Sequence, residues 1–254
     1  MNFDAVRLPP GFCLHRVEAV GSTNDEAKRR LNDGAAAGTI VWALEQTGGR
    51  GRDGRGWSSP RGNLYASIIL RPVGAPAVVA QLGFVAALAV GAAVERLVPA
   101  PGVVTFKWPN DVLLDGRKIA GILLESEGAR AEGVDGIVMG IGINVAVFPD
   151  DARIPATSLI AAGADVVTPA LVLEVLTREL DARLQLWVRE GFAPIRRQWI
   201  ARAHALGAAI VVRLPRETLE GIFCDIDAAG LLMLETTTGR RSISVGDVFF
   251  AGSV

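Results

Sequence analysis

The segment with the clearest chemical potential is a glycine- and arginine-rich stretch at residues 48–56. It reads Gly-Gly-Arg-Gly-Arg-Asp-Gly-Arg-Gly, so five of its nine positions are glycine and three are arginine. Glycine lets the backbone approach a ligand closely, and the planar arginine fork binds phosphate or carboxylate. The spacing matches neither a P-loop nor a dinucleotide fingerprint. It predicts a mobile loop that folds over an anionic ligand; a solvated loop and an RNA-binding Gly/Arg segment stay open as alternatives.

A second candidate is Lys-Trp-Pro-Asn-Asp at residues 107–111, followed by Lys118. Asp115-Gly116 between two apolar runs is a strong hairpin signal. Such a turn returns Lys118 alongside the strand that begins near Asp111, so that an ammonium, a carboxylate and an amide meet at one end of a sheet. A hairpin with an ordinary salt bridge is the alternative, and the role of Lys107 cannot be separated from packing.

Two further segments place polar groups where a ligand could meet backbone. Residues 21–26 read Gly-Ser-Thr-Asn-Asp-Glu, in which Thr23 and Glu26 have capping-box spacing. This is an ordinary helix start, but helix N-termini also offer free N–H groups to polar ligands. In residues 140–144, Gly-Ile-Gly-Ile-Asn, glycine within an apolar strand indicates either a bulge or close backbone approach.

Three charged residues are harder to interpret. Glu125 and Glu127 alternate onto one face of the strand after Lys118, where they would be solvent-facing charges or metal or base groups. Lys28 lies beside two arginines in a predicted helix, and we expect it to be a solvated surface residue. It is one of only three lysines among 26 basic residues, so 23 are arginine.

Composition excludes several classes of protein. The 254 residues are 50% hydrophobic with a net charge of −1, which excludes a mainly disordered chain and argues against a dedicated nucleic-acid binder. Two distant cysteines and two distant histidines form no metal motif or disulfide scaffold. The N-terminus shows no signal peptide, and we interpret the apolar run 78–94 as a buried helix rather than a membrane span. The predicted location is cytoplasmic.

The spacing of apolar residues and the positions of glycine and proline predict the helices and strands of an α+β protein. We predict a mixed, mostly antiparallel sheet with flanking helices, in a domain covering residues 1–205, followed by a small all-β domain at 206–254. The predicted strands before residue 206 are 12–19, 39–46, 64–71, a hairpin ladder over 104–127, and 135–147. The predicted helices are 24–33, 76–97, 169–188 and 191–204.

Taken together, the order and spacing of four motifs resemble those of biotin–protein ligases. The motifs are Gly-Ser-Thr-Asn at 21–24, Gln-x-x-Gly-Arg-Gly-Arg at 46–52, Lys-Trp-Pro-Asn-Asp with Lys-Ile-Ala-Gly at 118–121, and Gly-Ile-Asn at 142–144. The resemblance covers about residues 14–253. It implies a class II synthetase-like catalytic domain with a C-terminal SH3-like β-barrel, in the short form without an N-terminal DNA-binding domain. No DNA or membrane binding is then expected, while a monomer and a homodimer both stay open.

The resemblance also implies a reaction in two steps. The biotin carboxylate attacks the α-phosphate of ATP, with Mg²⁺, to give biotinyl-5′-AMP and pyrophosphate. A lysine of a biotin carboxyl carrier protein or domain then attacks the acyl-adenylate and expels AMP. Two alternatives are a lipoyl or octanoyl protein ligase, which shares the general fold, and an RNA-binding module built on the Gly/Arg loop.

Site residues follow by matched position in the family. The catalytic group would comprise Lys118, Arg52 and Asp111, the last binding Mg²⁺ or assisting the incoming lysine. The biotin site would comprise Ser22, Thr23, Asn24, Gln46, Gly49, Arg50, Gly51, Arg52, Lys118 and Gly121. The ATP site would comprise Arg52, Trp57, Lys118 and Asn144. Asp53 stands where relatives often have another basic residue, which lowers the charge of the loop.

Overall fold

The computed structural model describes residues 6–72, 76–100, 102–130, 133–150 and 154–250. Within them the strands are β1 Cys13–Val20, β2 Thr39–Gln46, β3 Leu64–Leu70, β4 Val104–Lys107, β5 Asp111–Leu114, β6 Arg117–Arg130, β7 Gly133–Ile143, β8 Ala209–Arg213, β9 Thr218–Ile226, β10 Leu232–Thr236, β11 Gly239–Ile243 and β12 Asp247–Phe250. The helices are α1 Thr23–Asn32, α2 Pro76–Leu97, α3 Pro169–Glu190 and α4 Phe192–Ile200.

Two sheets organise the fold. The first has seven strands in the order β1-β2-β3-β7-β6-β5-β4. Only its β1–β2 pair is parallel, which confirms the predicted mixed, mostly antiparallel sheet. The second is antiparallel, in the order β11-β10-β9-β8-β12, and forms the small β domain expected at the C-terminus. The division of the chain at residue 206 stays a prediction.

Helix α2 packs on the first sheet and supplies much of the core. By length and composition alone, its stretch Ala80–Leu97 could cross a membrane. However, 72% of this stretch is buried inside the fold. Phe84 of this helix makes edge-to-face contacts with Phe192 and Trp199, at centroid distances of 5.2 and 5.1 Å. The prediction of a buried core helix is confirmed.

The hairpin that carries Lys118 forms as predicted. Asp115 and Gly116 both have positive φ, 50° and 74°, as a tight two-residue turn between antiparallel strands requires. The turn joins β5 to β6, and Leu113 pairs with Lys118 across it. The β5 and β6 backbones therefore hold Asp111 and Lys118 close together.

Two predicted element ends and one predicted cap were wrong for identifiable reasons. Strand β7 ends at Ile143 rather than 147 because Asn63 Oδ1 accepts the backbone N–H groups of residues 145–147, at 2.9–3.1 Å. Helix α4 ends at Ile200 rather than 204 because the following backbone pairs with Phe106 of edge strand β4. The capping box is absent: Ser22 is the N-cap of α1 without a side-chain bond, and Glu26 pairs with Arg29 and Arg30 instead.

Candidate functional site

A cavity of about 410 Å³ brings the predicted site residues together. Those that line it are Ser22, Thr23, Asn24, Gln46, Arg50, Gly51, Arg52, Trp57, Asp111, Lys118, Gly121 and Asn144. Gly49 lies just behind the lining, where its carbonyl accepts the Trp57 N–H at 2.9 Å. The segments at 21–24, 46–57, 111–121 and 140–144 therefore form one site.

One wall of the cavity is a chain of hydrogen bonds between buried or half-buried polar side chains. Gln46 Oε1 accepts from Thr23 N (2.8 Å) and Thr23 Oγ1 (3.0 Å), while Gln46 Nε2 donates to Ser59 Oγ at 2.9 Å. The fully buried Ser67 Oγ lies 2.7 Å from Thr23 Oγ1 and 2.6 Å from Asn24 Oδ1. These bonds hold the polar side chains of the wall in fixed orientations.

The amide of Asn24 is held in one orientation. Its Nδ2 donates to Glu125 Oε2 at 2.6 Å, and its Oδ1 faces Ser67. A Cβ on Gly140, the residue of β7 paired with Ser67, would overlap Asn24 Oδ1. The glycine predicted to mark close backbone approach therefore makes room for the Asn24 side chain.

The loop 48–56 is tied at one end to α1 and β6. Arg50 makes a bidentate pair with Asp25, at 2.7 and 2.6 Å, and also contacts both oxygens of Glu125, at 3.2 and 3.0 Å. Hydrogen bonding from Arg50 holds the pKa of Asp25 below its usual value. Burial alone would raise the pKa of Glu125, but the hydrogen bonds it accepts outweigh burial and lower that pKa.

The prediction that Lys28 is a solvated surface residue was wrong. Its Nζ lies 3.0 Å from Glu125 and 3.2 Å from Glu127, and only 23% of its side chain is exposed. One turn of α1 separates it from Asn24, so both residues face β6. Glu125 and Glu127 are consequently paired carboxylates rather than free solvent-facing charges.

The other end of the loop contacts the C-terminal sheet. Arg55 Nη2 lies 2.7 Å from Asp247 Oδ1, and Arg52 Nη1 donates to the Gly246 carbonyl at 3.3 Å. Asp247 and Phe249 of β12 also line the cavity. At the tip, the exposed Asp53 adopts positive φ (56°) and lies 3.3 Å from Arg55, so it offsets part of the loop's charge.

Lys118 supplies a cation at the centre of the site. Its Nζ lies 2.6 Å from Asp111 Oδ1 and 5.2 Å from the centre of the Trp57 ring. Lys107 lies nearby and is buried, and burial lowers the pKa of its ammonium despite the opposing charge of Asp111. The lining thus has several positive groups for an anionic ligand, with one carboxylate orienting Lys118.

Trp57 packs on two glycines of the sheet. A Cβ on Gly121 or Gly142 would come within 2.9 or 2.8 Å of the Trp57 ring. The ring nitrogen Nε1 is buried and has no hydrogen-bond partner among the described residues. Asn144, at the end of β7, is also buried; its Nδ2 donates to the Thr157 carbonyl at 3.0 Å.

A metal ion has few candidate ligands here. In the part of the chain that the structure describes, no group of three or more His, Cys, Asp or Glu side chains could hold one. Asp111 is the carboxylate next to Lys118 in the cavity lining. This donor set suits Mg²⁺, which proteins often bind through one or two carboxylates together with substrate phosphates.

Sequence reasoning missed several residues of the site. Ser67 is a lone hydroxyl in an apolar strand, and Asp25 is one acidic residue in a helix start, so neither gave a distinctive signal. Asp247 lies 192 positions from its partner Arg55. Only the alternation that put Glu125 and Glu127 on one face indicated part of this network.

Comparisons with known proteins identify the family of this chain. The model of the biotin/lipoate A/B protein ligase family matches residues 17–144, and that of the biotin protein ligase C-terminal domain matches residues 205–251. A biotin–[acetyl-CoA-carboxylase] ligase of Paracoccus denitrificans is 42% identical over 239 residues, covering 91% of this chain and 98% of that protein. A bifunctional ligase/repressor BirA of Bacillus subtilis is 36% identical over 91% of this chain and 72% of that protein.

Solved structures show the same architecture. The biotin protein ligase from Aquifex aeolicus in complex with biotin and ATP superposes with a TM-score of 0.77 at 27% sequence identity, covering 93% of this chain and 97% of that one. With two family models matched in order and a relative 42% identical over nearly its whole length, the chain belongs to the biotin/lipoate A/B protein ligase family, in its biotin protein ligase branch.

Proposed function

We propose that this protein is an ATP-dependent biotin–protein ligase, which forms biotinyl-5′-AMP and transfers biotin to a lysine of a biotin carboxyl carrier domain. The observation that carries the proposal is that one cavity contains both the hydrogen-bonding wall at Thr23, Asn24 and Gln46 and the Lys118 ammonium. A ureido head group fits such a wall, because it presents both N–H donors and a carbonyl acceptor. We infer that the Lys118 ammonium would stabilise the biotin carboxylate and the α-phosphate when both are bound.

The chemistry needs no nucleophile from the protein. A carboxylate oxygen of biotin forms a bond to the α-phosphorus of ATP while the bond to pyrophosphate breaks. The neutral amine of the carrier lysine then attacks the acyl carbon, AMP leaves with the bonding electron pair, and the amine loses a proton. The protein's contribution is to position the reactants and to stabilise developing negative charge.

We assign this charge stabilisation to Lys118 and Arg52. Asp111 holds the Lys118 ammonium in place at 2.6 Å. Mg²⁺, when bound, would neutralise phosphate charge, and Asp111 is the carboxylate that we assign to it. Trp57 and Asn144 would line the nucleotide end of the cavity.

The two alternatives are less well supported. A lipoyl or octanoyl ligase does not account for the match to the biotin protein ligase C-terminal domain or for the 42% identity to the Paracoccus ligase. An RNA-binding role needs several free positive charges on the loop, yet two of its three arginines, Arg50 and Arg55, are paired with carboxylates.

The proposal predicts biotin transfer in a defined reaction. Purified protein, biotin, ATP, Mg²⁺ and a biotin carboxyl carrier domain should yield one biotinyl group on one lysine, detected by mass spectrometry. A carrier whose target lysine is replaced by arginine is the control. Transfer of lipoate but not biotin would establish the lipoyl alternative instead.

Arg52→Ala should release biotinyl-AMP about tenfold faster than the wild type, because a charge-assisted contact to the phosphate is lost. The measurement is the half-life of the enzyme-bound adenylate after dilution into excess unlabelled biotin. Arg61→Ala is the matched control, because Arg61 pairs with Glu18 and Glu45 outside the cavity. An unchanged half-life in Arg52→Ala would exclude this role.

A further inference from the structure

The most informative feature beyond the ligand cavity is the set of charges around Arg50. The guanidinium is shared between Asp25 of α1 and Glu125 of β6, and 26% of its side chain is exposed. Glu125 also accepts from Asn24 and pairs with Lys28, which reaches on to Glu127. One arginine of the loop therefore joins two elements that also hold the polar wall.

The cluster around Arg50 carries more negative than positive charge. Three carboxylates, those of Asp25, Glu125 and Glu127, surround the two cations Arg50 and Lys28. An incoming carboxylate or phosphate would have to displace a bidentate aspartate and approach a cluster with net negative charge. The Arg50 side chain is thus poorly placed to bind an anionic ligand, although the family resemblance puts Arg50 in the biotin site.

Backbone hydrogen bonds connect Arg50 to the rest of the loop, so fixing Arg50 also restricts the residues at the loop tip. Arg50 pairs with Gly56 as an antiparallel bridge, and Gly51 N donates to the Arg55 carbonyl at 2.7 Å. The two arms of the loop are therefore linked, and Arg52 lies between them. Arg52 forms no ion pair among the described residues, so its charge remains available to a ligand.

We propose that the Arg50 side chain does not bind the ligand but acts as a latch, that is, an ion-paired anchor for the loop 48–56. Asp25 and Glu125 are then positioning residues that hold this loop closed over the cavity. The latch keeps Arg52 over the ligand through the ionic contact of Arg50 with Asp25 and Glu125, neither of which lines the cavity. Its effect on the bound adenylate rests on the proposed function, whereas its effect on the loop itself does not.

The test uses Asp25→Asn, which removes the charge but preserves shape, in the full-length protein. We expect trypsin to cleave after Arg52 and Arg55 about threefold faster in the unliganded variant. The factor is small because a partly exposed ion pair contributes little to the stability of the closed loop. Bound biotinyl-AMP should leave faster by a similar factor, with at most a small decrease in the melting temperature, because an exposed ion pair contributes little to the free energy of unfolding. Raising the salt concentration should accelerate both processes in the wild type and much less in the variant.

Two controls make the experiment decisive. Asp33→Asn removes a carboxylate whose ion-pair partner among the described residues is Arg29, at the end of the same helix, and it should behave as the wild type. The double variant Asp25→Asn/Arg50→Gln should be no more sensitive than Arg50→Gln alone, because both changes open one contact. Additive effects, or cleavage as slow in Asp25→Asn as in Asp33→Asn, would refute the latch. Failure of the wild type to form any adenylate would refute the proposed function, while trypsin cleavage would still decide the latch.

Discussion

Lys118→Arg should slow formation of biotinyl-AMP about a hundredfold, in the range seen when one preorganised charge-stabilising donor is removed. The ammonium fits between Asp111, 2.6 Å away, and the Trp57 ring, 5.2 Å from Nζ to its centre. A planar guanidinium is larger and donates in a fixed fork, so it cannot occupy this point without moving one of the two. The measurement is biotin-dependent pyrophosphate release at saturating ATP and biotin.

The control for this variant lies on the same hairpin. Arg117 is exposed and does not line the cavity, so Arg117→Ala should release pyrophosphate at the wild-type rate. Near-normal release by Lys118→Arg would mean that a positive charge alone suffices and that the position of the ammonium is unimportant.

Gly140→Ala should raise the KM for biotin about thirtyfold while changing the KM for ATP little. The added Cβ would overlap Asn24 Oδ1, which also bonds to Ser67, so the amide must turn away and leave polar groups of the wall unpaired. A site built to hydrogen-bond a ligand loses much affinity when its own donors are misplaced. Initial rates over a range of biotin and ATP concentrations separate the two constants.

A second glycine provides a matched control. Gly83 lies in helix α2, where a Cβ would meet Leu124 Cδ1 at an ordinary 3.6 Å. Gly83→Ala should therefore keep both KM values and raise the free energy of unfolding by up to about 1 kcal/mol through helix propensity. If Gly140→Ala also kept the biotin KM, Asn24 would not contribute to biotin recognition.

Local patterns predicted the elements of this fold well because each depends on neighbours in sequence. The Asp115-Gly116 turn, the buried helix α2 and strand β2 all follow from short-range spacing. The boundary errors have a common cause, which is competition from distant groups. Asn63 takes the N–H groups that would have extended β7, and Phe106 pairs with the chain beyond α4.

The sequence predicted which motifs form the site, but not the ion pairs and hydrogen bonds that connect them. The motif residues share one cavity, because the sheet brings β5, β6 and β7 together. What sequence could not show is how their charges are used. The Lys28–Glu125 pair spans 97 positions and the Arg50–Glu125 pair 75, and nothing in a charged helix face distinguishes a paired lysine from a solvated one.

The packing of Trp57 has a spectroscopic consequence. Of the five tryptophans in the chain, it alone lines the cavity. Trp42, Trp108 and Trp199 are at most 4% exposed in the core, and Trp187 is bound to Gln81 on the helical side. We therefore expect the ligand-dependent part of the intrinsic fluorescence to come from Trp57, isolated by subtracting the emission of Trp57→Phe. The protein thus contains a natural optical reporter, with which binding of unlabelled biotin and nucleotide can be followed in real time.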